Sequence, residues 1–384
     1  MNKKPFSPLI FLSSLGAGGI SIMPFAFMQY TTEHGSGLIQ RADINHNALS
    51  GLSLLSQYGL ETIMLVFVTL HLLLTIAHVD GLWQFLRSDK LVKVIQDPLA
   101  SPALMAPFIS IVMTMNVVIG PVRYFTPWLA NNLQTVMLPA LLFWSLIYVA
   151  LLTTVMYLLQ QAFIQKFDVS KISFSWLLHP FAIGMLTVTG MGFAALAKSP
   201  IIANTAAFMS LVSGSMGVFL LVIATIIVFQ NFFAGTGLGD KKALPSVLIV
   251  IPNITLYAIS AFRFGHYLEH QHGAHLDSYF AIVTAISFAI ETWYLLFGLL
   301  LLKNYFKKDY FHQEYYVTQW GLICPIVAYS VLASFTYKAF MPSFIFYGLA
   351  ITFMLVAIVF FFDLISRYLR CRGVIPQSKK MVCQ

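Results

Sequence analysis

Apolar residues run through this chain in long blocks separated by short polar connections. The period-two alternation of barrel strands is absent, so helices are expected to cross the lipid. Ten blocks reach the roughly 20 residues that a helix needs to span a hydrocarbon layer of about 30 Å. They lie at about 8–30, 53–78, 102–121, 132–159, 174–197, 203–231, 243–263, 277–302, 317–337 and 342–368. The first follows Lys3 and Lys4, as a signal peptide would. It has no small-x-small cleavage site and holds Pro24, so it reads as a retained helix.

Proline adds a second pattern. Each odd-numbered block holds one: Pro24, Pro107, Pro180, Pro252 and Pro325, at gaps of 83, 73, 72 and 73 residues. Repetition at a fixed period marks a repeated structural unit. The chain reads as five tandem helical hairpins, at about 8–78, 102–159, 174–231, 243–302 and 317–368, within a single transmembrane domain over 1–384, with a short tail at 369–384. Proline removes a backbone donor and bends a helix. In lipid, the carbonyl so freed needs a neighbouring helix or a wet cavity. The odd blocks also carry small and hydroxyl-bearing residues, such as Gly16, Gly18, Thr189 and Thr255, whereas the even ones are bulkier. Small residues allow close approach or line a wet path, and bulky ones suit lipid. The expected fold is all-α: an inner ring of five proline-kinked helices around a central pore, with five outer helices.

Composition narrows the class. The chain is 59% hydrophobic and 9% charged, against about 45–50% and 25% in soluble proteins. Three cysteines, two of them (Cys371, Cys383) in the last fourteen residues, build no disulfide framework. No Gly-rich phosphate loop, HExxH pair or CxxC pair occurs, so no bond-making chemistry or resident cofactor is expected. A formal charge of +8 is a feature of nucleic-acid binders, but its placement here has another explanation. Of 22 Lys and Arg residues, 17 fall at the termini and on connections on that same side. Positive charge marks the cytoplasmic face, which places both termini there. The other side holds only Arg41, Arg123, Lys198, Arg263 and Lys338, one per hairpin.

Three segments carry a resemblance: Ser175-Trp176-Leu177-Leu178-His179-Pro180, Ile249-Val250-Ile251-Pro252, and Gln319-Trp320-Gly321-Leu322-Ile323-Cys324-Pro325. With the ten spans and their prolines, they resemble the tellurite-resistance/dicarboxylate transporters, which include bacterial relatives of the plant guard-cell slow anion channel. The resemblance implies an inner-membrane protein, an uncharged pore for small anions and a homotrimer with one pore per protomer. It also implies a gate phenylalanine in the ninth helix, four residues after a tryptophan. Counting from Trp320, that position holds Cys324. Phe181, Phe108 and Phe25 each follow a proline and are alternative blocking rings, with plain packing as the bland reading.

Other residues leave readings open. The five far-side basic residues form either a positive vestibule that concentrates anions or ordinary headgroup-level cations. Glu61, Glu291 and Asp363 follow Pro24, Pro252 and Pro325 by 37, 39 and 38 residues. Glu61 and Glu291 are candidate proton sites or buried structural carboxyls, and Asp363 pairs naturally with Arg367. His179 is the one ionisable side chain expected in the pore wall. His71, His78 and His179 would serve a haem-binding redox protein, the rival of another class. His266, His270, His272 and His275 form an external histidine-rich segment: a weak metal candidate, a pH sensor or a plain solvated loop. A carrier of the same fold, moving sulfite, tellurite oxyanions or dicarboxylates with protons, is the nearer rival.

Overall fold

The computed structural model describes residues 6–165, 167–235, 241–311 and 314–376. Lys3, Lys4, Lys166, Lys379, Lys380 and Cys383 lie outside the described residues. Among the described residues ten helices are long and apolar enough to cross a membrane. We number them α1 (Pro8–Thr31), α2 (Gly51–Leu86), α3 (Ser101–Phe125), α4 (Leu133–Ile164), α5 (Phe174–Leu196), α6 (Pro200–Phe233), α7 (Leu244–His272), α8 (Asp277–Tyr310), α9 (Val317–Ala339) and α10 (Phe344–Cys371). No β-strand occurs among the described residues.

Odd and even helices occupy different environments. Between 61% and 100% of each odd helix's most apolar stretch is buried, against 22% to 33% for the even ones. The odd helices touch in sequence, α1 to α3 to α5 to α7 to α9, and α9 returns to α1. Each even helix packs on the odd helix before it. The even helices turn large apolar side chains outward, among them Phe143, Phe219, Trp293 and Phe344. In lipid such faces carry no penalty.

The odd helices share a local grammar that the even ones lack. Each starts as a 3₁₀ segment: Pro8–Ile10, Ser101–Leu104, Phe174–Leu177, Leu244–Ile249 and Val317–Leu322. The α-helical parts then begin at Phe11, Met105, Leu178, Val250 and Ile323. Pro107, Pro180, Pro252 and Pro325 are each the third residue of that part. This corrects the reading of interior kinks, because proline is well tolerated in a first turn, where its missing N–H has no α-helical partner to lose. Pro24 is the exception. It is the fourteenth residue of Phe11–Thr31, and the matching position in α1 is Ser13, whose hydroxyl donates to Ile10 O at 2.7 Å. Between matching positions, Ser13 and Pro107, the first repeat is 94 residues (107 − 13), so the deeper place of Pro24 shortens the first gap and does not cause its length. The five 3₁₀ segments also touch one another in the same closed order, at the end of the molecule where both termini lie.

Several helices run past their sequence-based limits. α2 continues to Leu86, α8 to Tyr310, and α7 about two and a half turns beyond residue 263 to His272. Gly273, at φ +67°, ends α7 in the left-handed conformation that glycine adopts freely. The histidine-rich segment is therefore the end of a helix more than a loop. It also places Arg263 and Glu269 on the outer turns of an odd helix.

Candidate functional site

The odd helices enclose one cavity of about 940 Å³. Its deepest residue on each is Leu15, Met113, Phe181, Pro252 and Cys324. Its wall then climbs past Asn116, Thr189 and Thr255 to a rim at the side away from the termini. The only even helix in the lining is α8, through Asp277 and Phe280 at its start. Polar wall groups are largely matched: Asn116 Nδ2 donates to Thr189 Oγ1 at 2.6 Å. Beneath the floor sit the contacting 3₁₀ segments, with Trp320 and Leu177 fully buried.

The connection after α1 folds over the rim. Gln29 holds it, accepting from Ile39 N at 2.7 Å and donating to Gly37 O at 3.1 Å. Arg123 donates from α3 to the carbonyls of Leu38 and Ile39. Thr32, Glu33, His34 and Leu38 thereby line the cavity mouth. Neither Gln29 nor its loop stood out in the sequence, because a single glutamine and a polar turn carry no spacing signal.

A family profile described as voltage-dependent anion channel, SLAC1, matches residues 5–367. The chain belongs to this anion-channel family. It is a multi-pass membrane protein of a class whose members are channels and transporters. A search of curated proteins returns no match.

Within this family frame, the candidate residues separate. Of the five prolines only Pro252 lines the cavity. His179 does not line it either, which corrects its expected place in the wall. Its Nδ1 meets Trp176 O at 3.1 Å. That carbonyl lies four residues before Pro180, so the ring takes the acceptor that proline's missing N–H leaves free. Phe181 and Cys324 are both among the cavity's deepest lining residues, and Phe25 lines the wall higher up. Phe108 packs against the core and is not part of the lining.

The five far-side basic residues do not act together. Arg41 pairs with Glu61 at 3.2 Å. Arg123 serves the loop carbonyls, and Lys198 is exposed away from the cavity. Only Arg263 and Lys338 line it. They are joined there by Glu33, Glu269 and Asp277, so formal charge at the mouth is two positive against three negative with neutral histidines. A uniformly positive vestibule is not what these residues build.

The three span acids differ just as sharply. Glu61 accepts from Arg41, from His46 at 2.9 Å, Gln57 at 3.1 Å and Tyr124 at 2.8 Å. Asp363 accepts from Arg367 and Tyr310, both at 2.8 Å. Glu291 is fully buried, accepts only from Thr255 Oγ1, and leaves Oε2 without a partner. Thr255 itself lines the cavity. Equal spacing from the prolines hid these differences because the acids stand ten, fourteen and nineteen residues into their helices.

The histidines do not gather. His71 Nδ1 donates to Ser14 O at 2.7 Å, and Thr114 Oγ1 approaches its Nε2 at 2.8 Å, so neither nitrogen is left for a haem iron. Gly18 makes room for this ring, since a Cβ there would stand 2.8 Å from Nδ1. His266 turns to Glu269, His270 to Ala195 O and His272 to the Tyr267 hydroxyl. No group of three or more metal-ligating side chains occurs among the described residues, His275 included.

Proposed function

We propose that this protein passes small anions across the membrane through the cavity between its odd helices, without chemical conversion. The carrying observation is one continuous cavity, lined by all five odd helices, with amides, hydroxyls and apolar groups in its deep half and every carboxylate confined to its rim. An uncharged wall holds an anion by partial dipoles and does not trap it. We read the closed order of contacts as a ring, and the floor at Phe181 and Cys324 as its closed constriction. Both termini then face the cytoplasm of a bacterial inner membrane, by the bias of basic residues, and the cavity opens outward. The homotrimer implied by the resemblance belongs to the same reading, with the exposed apolar faces of the even helices available to lipid and neighbouring copies. Chloride, nitrate, sulfite, tellurite oxyanions and dicarboxylates are the substrate class. Reconstitution into planar bilayers with anion substitution tests this: currents whose reversal potential follows the anion gradient are expected, and a protein that carries no anion current or flux overturns it.

Glu291 favours a second reading, proton-linked transport. An ionisable group within a span is a functional candidate by default, and among the three span acids Glu291 is the one without a cation partner. Its link to the cavity runs through the Thr255 hydroxyl, and Tyr329 is the titratable neighbour on α9. Under this reading Glu291→Gln abolishes the pH dependence of anion uptake in proteoliposomes. Uptake with unaltered pH dependence removes it.

A further inference from the structure

Arg263 differs from the other cations among the described residues. It lies on α7 within the cavity wall, eleven residues above Pro252, and forms no ion pair with any described carboxylate. Its Nη1 donates to Val188 O of α5 at 2.6 Å. That bond depends on Gly192, one turn further along α5, where a Cβ would stand 3.1 Å from the same nitrogen. The guanidinium is thereby anchored at one corner. Its other edge, Nε–H with Nη2–H, has no protein acceptor and is not sealed off from the cavity. The nearest lining carboxylate on α7, Glu269, is engaged by His266 at 2.9 Å. Tyr30 of α1, packed on Phe335 at 4.3 Å, lies close enough to interact electrostatically with Arg263, and it too lines the cavity.

A guanidinium is charged at all physiological pH and needs a counter-charge when drawn out of water. Here the protein supplies a carbonyl and a phenol and no anion. The parallel N–H groups of its open edge match two oxygens of one planar anion, a geometry that a spherical halide cannot use.

Building on the anion-passing reading, we infer that Arg263 is a fixed binding site for planar oxyanions or carboxylates, such as nitrate and formate, in the outer half of the cavity. The site sets which anions the protein prefers. Lys338, exposed at the rim, changes local concentration only.

Two measurements test this. In detergent, formate and nitrate raise the thermal unfolding midpoint of the wild type at lower concentration than chloride does, because a ligand of the folded state stabilises it. Arg263→Gln weakens that response at least tenfold. Arg263→Lys keeps a response but loses the preference for planar anions, and Lys338→Gln keeps that preference. In bilayers, the wild type favours nitrate and formate over chloride, and Arg263→Gln levels the order. If Arg263→Gln, folded by its unfolding transition, keeps the wild-type concentration dependence and anion order, the site is wrong while the conduction reading stands. If the wild type binds formate through Arg263 yet carries no anion in bilayers, the conduction reading falls and the site remains. If Arg263→Gln fails to fold, Arg263→Lys with an undiminished planar preference overturns the inference.

Discussion

At the scale of single residues, what decides a side chain's role is the partner that folding brings to it. Glu61, Glu291 and Asp363 share one sequence relationship and have three different neighbourhoods. The donors of Glu61 come from the α1–α2 connection, its own helix and α3, which no local pattern reveals. Likewise the sequence marks Arg263 as one of five scattered cations, and only its depth in the cavity distinguishes it. Glycine contacts are equally hidden. A Cβ on Gly217 would stand 2.0 Å from the Tyr257 hydroxyl and 2.9 Å from Ile183, and that hydroxyl donates to Pro180 O at 2.7 Å. Gly217→Ala is expected to push Tyr257 off this carbonyl and cost about 1–3 kcal/mol, in the range of overpacked cores. A lower thermal unfolding midpoint in detergent, with the Gly217→Ala, Tyr257→Phe double variant recovering part of the loss, checks it.

At the scale of elements, hydropathy made the ten helices legible, since length and apolar content alone determine whether a segment can cross lipid. Their ends were less legible. The last turns of α7 are rich in histidine and charge, and such composition reads as a loop, although the helix continues until Gly273. The 3₁₀ starts were invisible as such, but the four prolines that follow them were in plain view at their 72–73-residue spacing. Connections between elements carry their own energetics. Lys241, after α6, reaches Glu314, before α9, at 2.6 Å and Asp309 at 3.8 Å. Tyr316 also donates to Glu314. The Lys241 ammonium, and then the Tyr316 hydroxyl, hold the Glu314 carboxyl below the ordinary 4.5. A lowered carboxyl stabilises the fold above that ordinary value, and the benefit disappears as pH falls through the folded value. Lys241, held above its ordinary 10.5 first by Glu314, loses its share only in strongly alkaline solution. The unfolding midpoint of the wild type should therefore fall as pH drops from about 5 to about 3, and Glu314→Gln should flatten that slope. An equal slope in both proteins refutes the strap.

At the scale of the whole molecule, a path across the membrane requires the cavity floor to open. Of the deepest lining residues Phe181 carries the largest side chain, and Cys324 is small. Phe181→Ala is expected to raise anion conductance several-fold, and Cys324→Phe to lower it, in bilayer recordings on the same lipid. Unchanged conductance in both would place the constriction elsewhere. The family and the sorting of helices into buried and lipid-facing sets could be read from the chain. The place of Arg263 within the cavity and the mixed charge of its rim could not, because they depend on which faces of five distant segments converge.

Four of the five odd helices repeat the same opening, a 3₁₀ turn and a proline in third place, while the wall above that frame is not repeated at all. The frame approximates five-fold order, but its strongest charge stands on α7 alone. An anion crossing the outer half would therefore not travel along the central axis. On the anion-passing reading its route is eccentric, drawn against α7, and a single replacement of Arg263 would reroute it without disturbing the opening that α3, α5, α7 and α9 share.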